Sequence, residues 1–136
     1  DFENAHDEYT LTSNASNEDY IKGKLRKRFQ NASQVIVLIG ESTKNLYKYV
    51  RWELEVAQNL NIPIIAVNLN GDIKQNPNTC PPIIRDTFVV HIPYKMKIIK
   101  YALDSFPTEY KKRGSNSSIG GRIYSESVYS SLGLND

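Results

Sequence analysis

A single glutamate in this sequence is placed where a carboxylate can act on a bound sugar. Glu53 lies in the stretch YKYVRWELEVA, in which apolar residues recur three and four positions apart and predict one packed face of a helix. The residues of that face are Val50, Leu54 and Ala57. Glu53 falls at its flank, near Tyr49 and Trp52, where a carboxylate can stabilise the positive charge that builds on an anomeric carbon during glycoside-type cleavage. The alternative is an ordinary amphipathic helix whose charges face solvent.

The second glutamate of the same helix does not form a pair with the first. Glu55 follows Glu53 by two residues, and two steps of roughly 100° each turn it about 200° around the helix axis. The two carboxylates therefore lie on different faces. The sequence favours a site with one acid and not a catalytic pair.

Three apolar, β-branched runs predict the strands that position this helix. They are residues 34–40, 62–70 and 87–94. Such continuous runs are typical of strands buried on both faces of a parallel sheet. Helices are predicted at residues 17–31, 46–59 and 95–106, and a further strand, with few apolar residues, at 1–6. The alternation predicts an α/β domain with a parallel sheet and right-handed crossovers.

The loops after the strands hold the other candidate contacts, because ligands of such sheets bind at the carboxyl ends of the strands. Ser42 follows the strand at 34–40 and can hold a phosphate or ribose near a helix N-terminus, although simple capping by Ser42 or Thr43 explains it equally well. His6 and Asp7 lie at the same predicted edge, with ordinary surface loop residues as the alternative. Neither a P-loop nor a dinucleotide-binding fingerprint is present in the sequence.

Composition excludes several classes of function. The net charge of +2 does not argue for nucleic acid, and the basic cluster at residues 22–28 is either a solvated helix face or an anion- or membrane-surface patch. One cysteine, Cys80, excludes an internal disulfide framework, and two distant histidines, His6 and His91, do not form a metal site. No apolar run approaches the roughly 18 residues of a membrane span. We expect a cytoplasmic protein that contacts neither nucleic acid nor membrane.

The central segment resembles a TIR-like domain. The parts that carry the resemblance are the strand VIVLIG, Ser42, Tyr49, the pair Glu53-Leu54 and the strand IPIIAVNLN. The segments VRWELEVA and CPPIIRD are similar to bacterial TIR-like proteins related to the NAD-processing subunit of Thoeris anti-phage systems. The resemblance covers roughly residues 1–106.

That resemblance implies a flavodoxin-like three-layer sandwich around a parallel sheet of strand order 2-1-3-4-5. Residues 1–6 would correspond to its second strand, so we expect the natural protein to extend upstream with a first strand and helix. The predicted domain is residues 1–112, N-terminally incomplete, and residues 113–136 are predicted to be a flexible linker and a short helical tail.

The resemblance also implies an activity. In TIR enzymes the helix glutamate, here Glu53, is the residue needed to cleave the nicotinamide–ribose bond of NAD+, and the product would be of the ADP-ribose type, either cyclic or linear. Tyr49 stands where many TIR domains have tryptophan, and Trp52 precedes the acid directly. The predicted substrate contacts are Ser42, Tyr49, Trp52, His6 and Asp7. NAD+ would be the substrate, with no separate cofactor and no metal.

A non-catalytic interaction module of the same fold is the alternative function, since a fold alone does not fix an activity. Its partners would be another copy of the chain or another TIR-like or effector protein of bacterial antiviral defence. A phosphoacceptor receiver of similar topology is excluded, because neither VIVLIG nor IIAVNLN ends in the aspartate that it needs.

Overall fold

Strands and helices alternate along the part of the chain that the computed structural model describes, which is residues 18–41, 43, 47–76, 78–113 and 121–134. The strands are β1 (Val35–Ile39), β2 (Ile64–Asn68) and β3 (Val90–Pro93). The helices are α1 (Glu18–Phe29), α2 (Tyr47–Asn59), α3 (Met96–Arg113) and α4 (Glu126–Ser131), with a 3₁₀ turn at Pro82–Ile84. The strand predicted at residues 1–6 lies outside the described residues.

The described strands form one parallel sheet in the order β1-β2-β3. Val37 of β1 pairs with Ala66 of β2, which pairs in turn with His91 of β3. Helices α1 and α2 pack on one face of the sheet, and α3 and α4 pack on the other. The predicted α/β class is confirmed, as a parallel sheet between two helical layers in the manner of a flavodoxin-like, TIR-like fold.

Helix α1 forms as its sequence pattern predicts. Ile21, Leu25 and Phe29 are spaced four residues apart and are all buried. Acidic residues occupy the first turn and basic residues the last, which complements the dipole of the helix. The basic residues in the last turn therefore have a structural explanation that requires no ligand.

The prediction that the strands are buried on both faces is correct for β2 and wrong for β1. Every residue of β2 is buried, whereas Leu38 of β1 is 53% exposed and Ile36 is half-buried. Leu38 and Ile36 point to the side of the sheet that α3 covers, but α3 contacts β2 and β3. The apolar pattern of β1 correctly predicted a strand but not how far the helical layer extends over it.

Helix α3 continues beyond its predicted end at Phe106, so that boundary is wrong. The helix runs through Pro107 to Arg113. A proline inside a helix removes one backbone hydrogen bond and costs about 3 kcal/mol. Phe106 and Tyr110 are both buried, and the Phe106 ring lies 5.2 Å from that of Phe88. This packing offsets the cost of Pro107 and holds the second half of the helix on the sheet.

The tail returns to the domain. The helix predicted there is α4, and Tyr124 and Tyr129 are buried in the same cluster as α3. The boundary near residue 112 stays a prediction. In the described parts of the chain, no helix has both the length and the apolar character needed to cross a membrane.

Candidate functional site

The turn that leaves β1 is organised by Thr43. The backbone N–H of Gly40 donates to Thr43 Oγ1 over 2.9 Å, and the backbone N–H of Thr43 donates to the Gly40 carbonyl over 3.1 Å. The Thr43 side chain is buried, and its hydroxyl also approaches the Leu38 carbonyl at 3.4 Å. Thr43 thus fixes the path of the chain from the carboxyl end of β1 towards α2.

Helix α2 presents Glu53 at the flank of its packed face, as predicted. Val50, Leu54 and Ala57 are buried, and Glu53 is half-buried beside Leu54. The helix follows β1 directly, so its N-terminal half starts from the carboxyl edge of the parallel sheet. That edge is where ligands of such sheets bind.

Glu55 on the same helix has a structural role. Its carboxylate pairs with Lys22 of α1 and, over 2.7 Å, with Nε of Arg51. Burial alone would raise the pKa of Glu55, but the hydrogen bonds from Lys22 and Arg51 outweigh burial and lower it. For Lys22, burial alone would lower the pKa, but the bonds to Glu18 and Glu55 raise it. Glu55 therefore joins α2 to α1 as a charged, paired carboxylate.

Replacing Glu55 by glutamine should destabilise the domain by about 1 to 2 kcal/mol, because it removes a charged partner from the part-buried Lys22. The carboxyl has a lowered folded-state pKa, so its contribution is present above the ordinary pKa of a glutamate and is lost as the pH falls through the lowered one. Urea unfolding of both proteins at about pH 7 and about pH 3 measures this. The difference between them should be largest at the higher pH, and an equal difference at both would contradict the ion pair.

Two aromatic side chains accompany Glu53 on α2. The rings of Tyr49 and Trp52 meet edge to face, with centroids 5.5 Å apart and planes at 82°. Trp52 is only 5% exposed and belongs to the core, and Lys48 Nζ lies 5.2 Å from the centroid of its ring. Tyr49 is half-buried and packs against the same core. Tyr49 thus has more surface available to a ligand than Trp52 has.

Asn68 shapes the loop beyond β2 and was not among the predicted site residues. Its buried side-chain amide donates to the carbonyls of Asp72 and Lys74 over 3.0 and 3.1 Å. Gly71 lies in the left-handed region, at φ 90°, inside the same turn. Residues 72–76 line an open recess of about 310 Å³. A polar residue at the end of an otherwise apolar strand was the available signal for Asn68.

The remaining reactive side chains lie in the core. Cys80 is buried, and burial raises the pKa of its thiol to about 11, which keeps it protonated and poorly nucleophilic. His91 is 1% exposed, and burial lowers its pKa to about 4. No cluster of metal-ligating side chains occurs within the described ranges.

Three of the predicted site residues, Glu53, Tyr49 and Trp52, lie on α2, and the rings of Tyr49 and Trp52 are in contact. Ser42, His6 and Asp7 lie outside the described residues. Their predicted contacts with substrate stay predictions.

Comparison with models of protein families finds a match to this chain. The family model of the TIR-like domain of the Thoeris protein ThsB matches residues 1–74, which is 74 of the 136 residues. The matched part includes α1, β1, α2 and β2, and therefore Glu53 and its aromatic neighbours. No curated protein matches the chain.

Proposed function

The chain belongs to the family of TIR-like domains of the Thoeris protein ThsB, and on that premise we propose that it binds NAD+ and cleaves the nicotinamide–ribose bond, with Glu53 as the catalytic carboxylate. The product would be an ADP-ribose-type nucleotide, linear or cyclic. Such a product would act as a signal in bacterial antiviral defence in the cytoplasm.

The position of Glu53 carries this proposal. Glu53 is half-buried on the helix that starts from the carboxyl edge of the sheet, and the same helix carries the contacting rings of Tyr49 and Trp52. Partial burial strengthens the interaction of a carboxylate with positive charge. The other carboxylate of the helix, Glu55, is committed to Lys22 and Arg51.

The chemistry of NAD+ suits a site with one acid. Ordinary glycosidases need a second carboxyl group because the leaving oxygen must be protonated. In NAD+ the nicotinamide nitrogen already carries a positive charge, and it takes the electron pair of the breaking C–N bond to leave as a neutral ring. The main requirement is then to stabilise the positive charge that develops on the ribose, and one carboxylate can do this electrostatically.

The remaining steps need no further acid on α2. Attack of water on the anomeric carbon, with loss of a proton, gives ADP-ribose. Attack by a group of the same nucleotide gives a cyclic product instead. Tyr49 would contact the nicotinamide end, with Trp52 behind it, and Ser42, His6 and Asp7 would contact the rest of the substrate.

Incubation of the protein with NAD+, followed by chromatographic measurement of free nicotinamide, tests the proposal. We expect nicotinamide and an ADP-ribose-type product in equal amounts. A heat-denatured sample is the control. NAD+ that stays intact with the folded protein would reject the enzymatic function.

A non-catalytic interaction module is the second candidate, and the burial of Trp52 favours it. A tryptophan that is 5% exposed contributes to the core more than to an open aromatic wall. The module would assemble with another copy or with a TIR-like or effector protein.

Melting temperature in the presence of NAD+ or ADP-ribose separates the two functions. A ligand that binds only the folded state, present at a concentration about 100 times its Kd, stabilises that state by about 2.7 kcal/mol. The enzyme should therefore melt at a higher temperature with millimolar ligand. No shift with either nucleotide would support the interaction module.

A further inference from the structure

Residues 121–134, called the strap below, return to the sheet and lie along β3. The backbone N–H of Arg122 donates to the Val89 carbonyl over 2.9 Å, and the backbone N–H of His91 donates to the Arg122 carbonyl over 2.8 Å. Val90 and Arg122 form a parallel bridge. The strap thus takes the place of a further strand at the edge of β3.

Two tyrosines anchor the strap under α3. Tyr124 and Tyr129 are buried, and the Tyr124 ring meets that of Tyr101 edge to face at 5.0 Å. Helix α4 ends at Ser131, and Gly133, whose φ is 75°, then lets the Leu134 N–H donate to the Tyr129 carbonyl over 2.8 Å. The strap is therefore anchored as far as Leu134.

Arg122 ties the strap to α3 through its side chain. Its Nε donates to Glu109 Oε1 over 2.8 Å, and its guanidinium lies 4.9 Å from the centroid of the Tyr124 ring. Both groups are partly exposed, so this ion pair contributes modestly to the docking.

The strap covers His91 at Gly121. A Cβ added at Gly121 would lie 3.3 Å from Cδ2 and 3.4 Å from Nε2 of the imidazole, tighter than ordinary contact. His91 is 1% exposed, and neither ring nitrogen has a hydrogen-bond partner among the residues that the structure describes. The docked strap therefore requires an uncharged imidazole, since a buried cation without an acceptor is strongly unfavourable.

We propose that the strap is a pH-sensitive clasp, which leaves the edge of β3 when His91 takes up a proton. Release separates Arg122 from its backbone partners on β3 and gives the imidazolium access to water. It also exposes the backbone N–H and C=O groups of the β3 edge, which are competent to pair with another strand.

The direction of the pH dependence follows from the burial of His91. In the docked state burial lowers the pKa of His91 from 6.5 to about 4. The docked state is therefore fully favoured above the ordinary pKa and loses stability as the pH falls towards the lowered one. Within that window the equilibrium constant for opening should rise by up to about tenfold for each unit by which the pH falls.

Other charged groups near His91 do not change this direction. Arg122 of the strap pairs with Glu109 of α3, and Gln75, which approaches Gly121 beside His91, donates to the Arg85 carbonyl and follows Asp72 and Lys74 in the chain. Burial is the cause of the shift, and no charge–charge interaction adds to it.

Hydrogen exchange of single amides in the intact chain tests the proposal. The amides of His91, Arg122 and Leu134 report on the strap, and the amide of Leu69, bonded to the Ile39 carbonyl in the sheet, reports on the domain. With rates corrected for intrinsic exchange, protection of the strap amides should fall roughly 15-fold between about pH 6.5 and about pH 5. Protection of Leu69 should stay constant. Parallel loss at Leu69 would mean general unfolding and would overturn the clasp.

Two variants separate the titration of His91 from general acid effects. His91→Leu replaces the imidazole by an apolar side chain that does not titrate, and should make protection of the strap amides independent of pH over this range. Gly121→Val, which drives a side chain into the imidazole, should open the strap already at about pH 7. Unchanged pH dependence in His91→Leu, or full protection of the strap in Gly121→Val, would contradict the proposal.

Discussion

Glu53→Gln is expected to reduce NAD+ turnover by about 100-fold or more while leaving the domain folded. The amide has nearly the shape of the carboxylate but no negative charge. It therefore cannot stabilise the positive charge that develops on the ribose when the nicotinamide leaves. The half-buried position of Glu53 limits the help that solvent gives in its place.

Glu55→Gln is the matched control on the same helix. It makes the same chemical change two residues away, at a carboxylate whose partners are Lys22 and Arg51. We expect it to lower stability and to keep turnover, whereas Glu53→Gln should lower turnover. Nicotinamide release and melting temperature measured for both variants show whether turnover is lost at Glu53 alone. Equal turnover in Glu53→Gln and the unmodified protein would remove Glu53 from the mechanism.

Periodicity identified the packed face of α2 but not its full width. Val50, Leu54 and Ala57 are buried as their spacing predicts, but Trp52 and Val56 are buried as well. A helix that packs on a sheet alone buries one stripe, whereas α2 also contacts α1 and the 3₁₀ turn at Pro82–Ile84. Contacts with such distant parts of the chain have no signature in the local pattern.

The role of Glu55 shows the same limit at the level of charge. Its angular separation from Glu53 was predictable from the helix repeat. Its pairing with Lys22 joins residues 33 positions apart and depends on how α1 and α2 cross. The sequence could therefore separate the two acids, and only the structure assigns one of them to an ion pair.

The C-terminal part of the chain departs furthest from the prediction. Phe106 marked the predicted end of α3, but burial of Tyr110 one turn later carries the helix past Pro107. The strap bridges to β3 through Arg122, which follows two glycines and precedes only two residues of high strand preference, Ile123 and Tyr124. Both features depend on long-range packing on the α3 side of the sheet.

Trp52→Ala is expected to destabilise the domain by about 3 to 5 kcal/mol, the second large effect. The side chain is 5% exposed and packs in the core between α2 and the sheet. Its removal leaves a cavity and also deletes the edge-to-face contact with Tyr49, a kind of contact worth about 0.5 to 1.5 kcal/mol. Chemical unfolding measures this loss of stability. A loss of this size is expected if Trp52 packs in the core, and is not expected if the side chain only faces a ligand.

Trp52→Phe separates packing from substrate contact. Phenylalanine keeps an aromatic ring in the core, so the loss of stability should be well below that of Trp52→Ala. If Tyr49 contacts the nicotinamide and Trp52 supports it from behind, Trp52→Phe should retain NAD+ cleavage. Tyr49→Ala should then act mainly by raising the KM for NAD+, with a smaller effect on the stability of the domain. A Trp52→Phe protein that is stable but inactive would instead place the indole in direct contact with the substrate, and the half-buried Tyr49 would no longer be the primary wall.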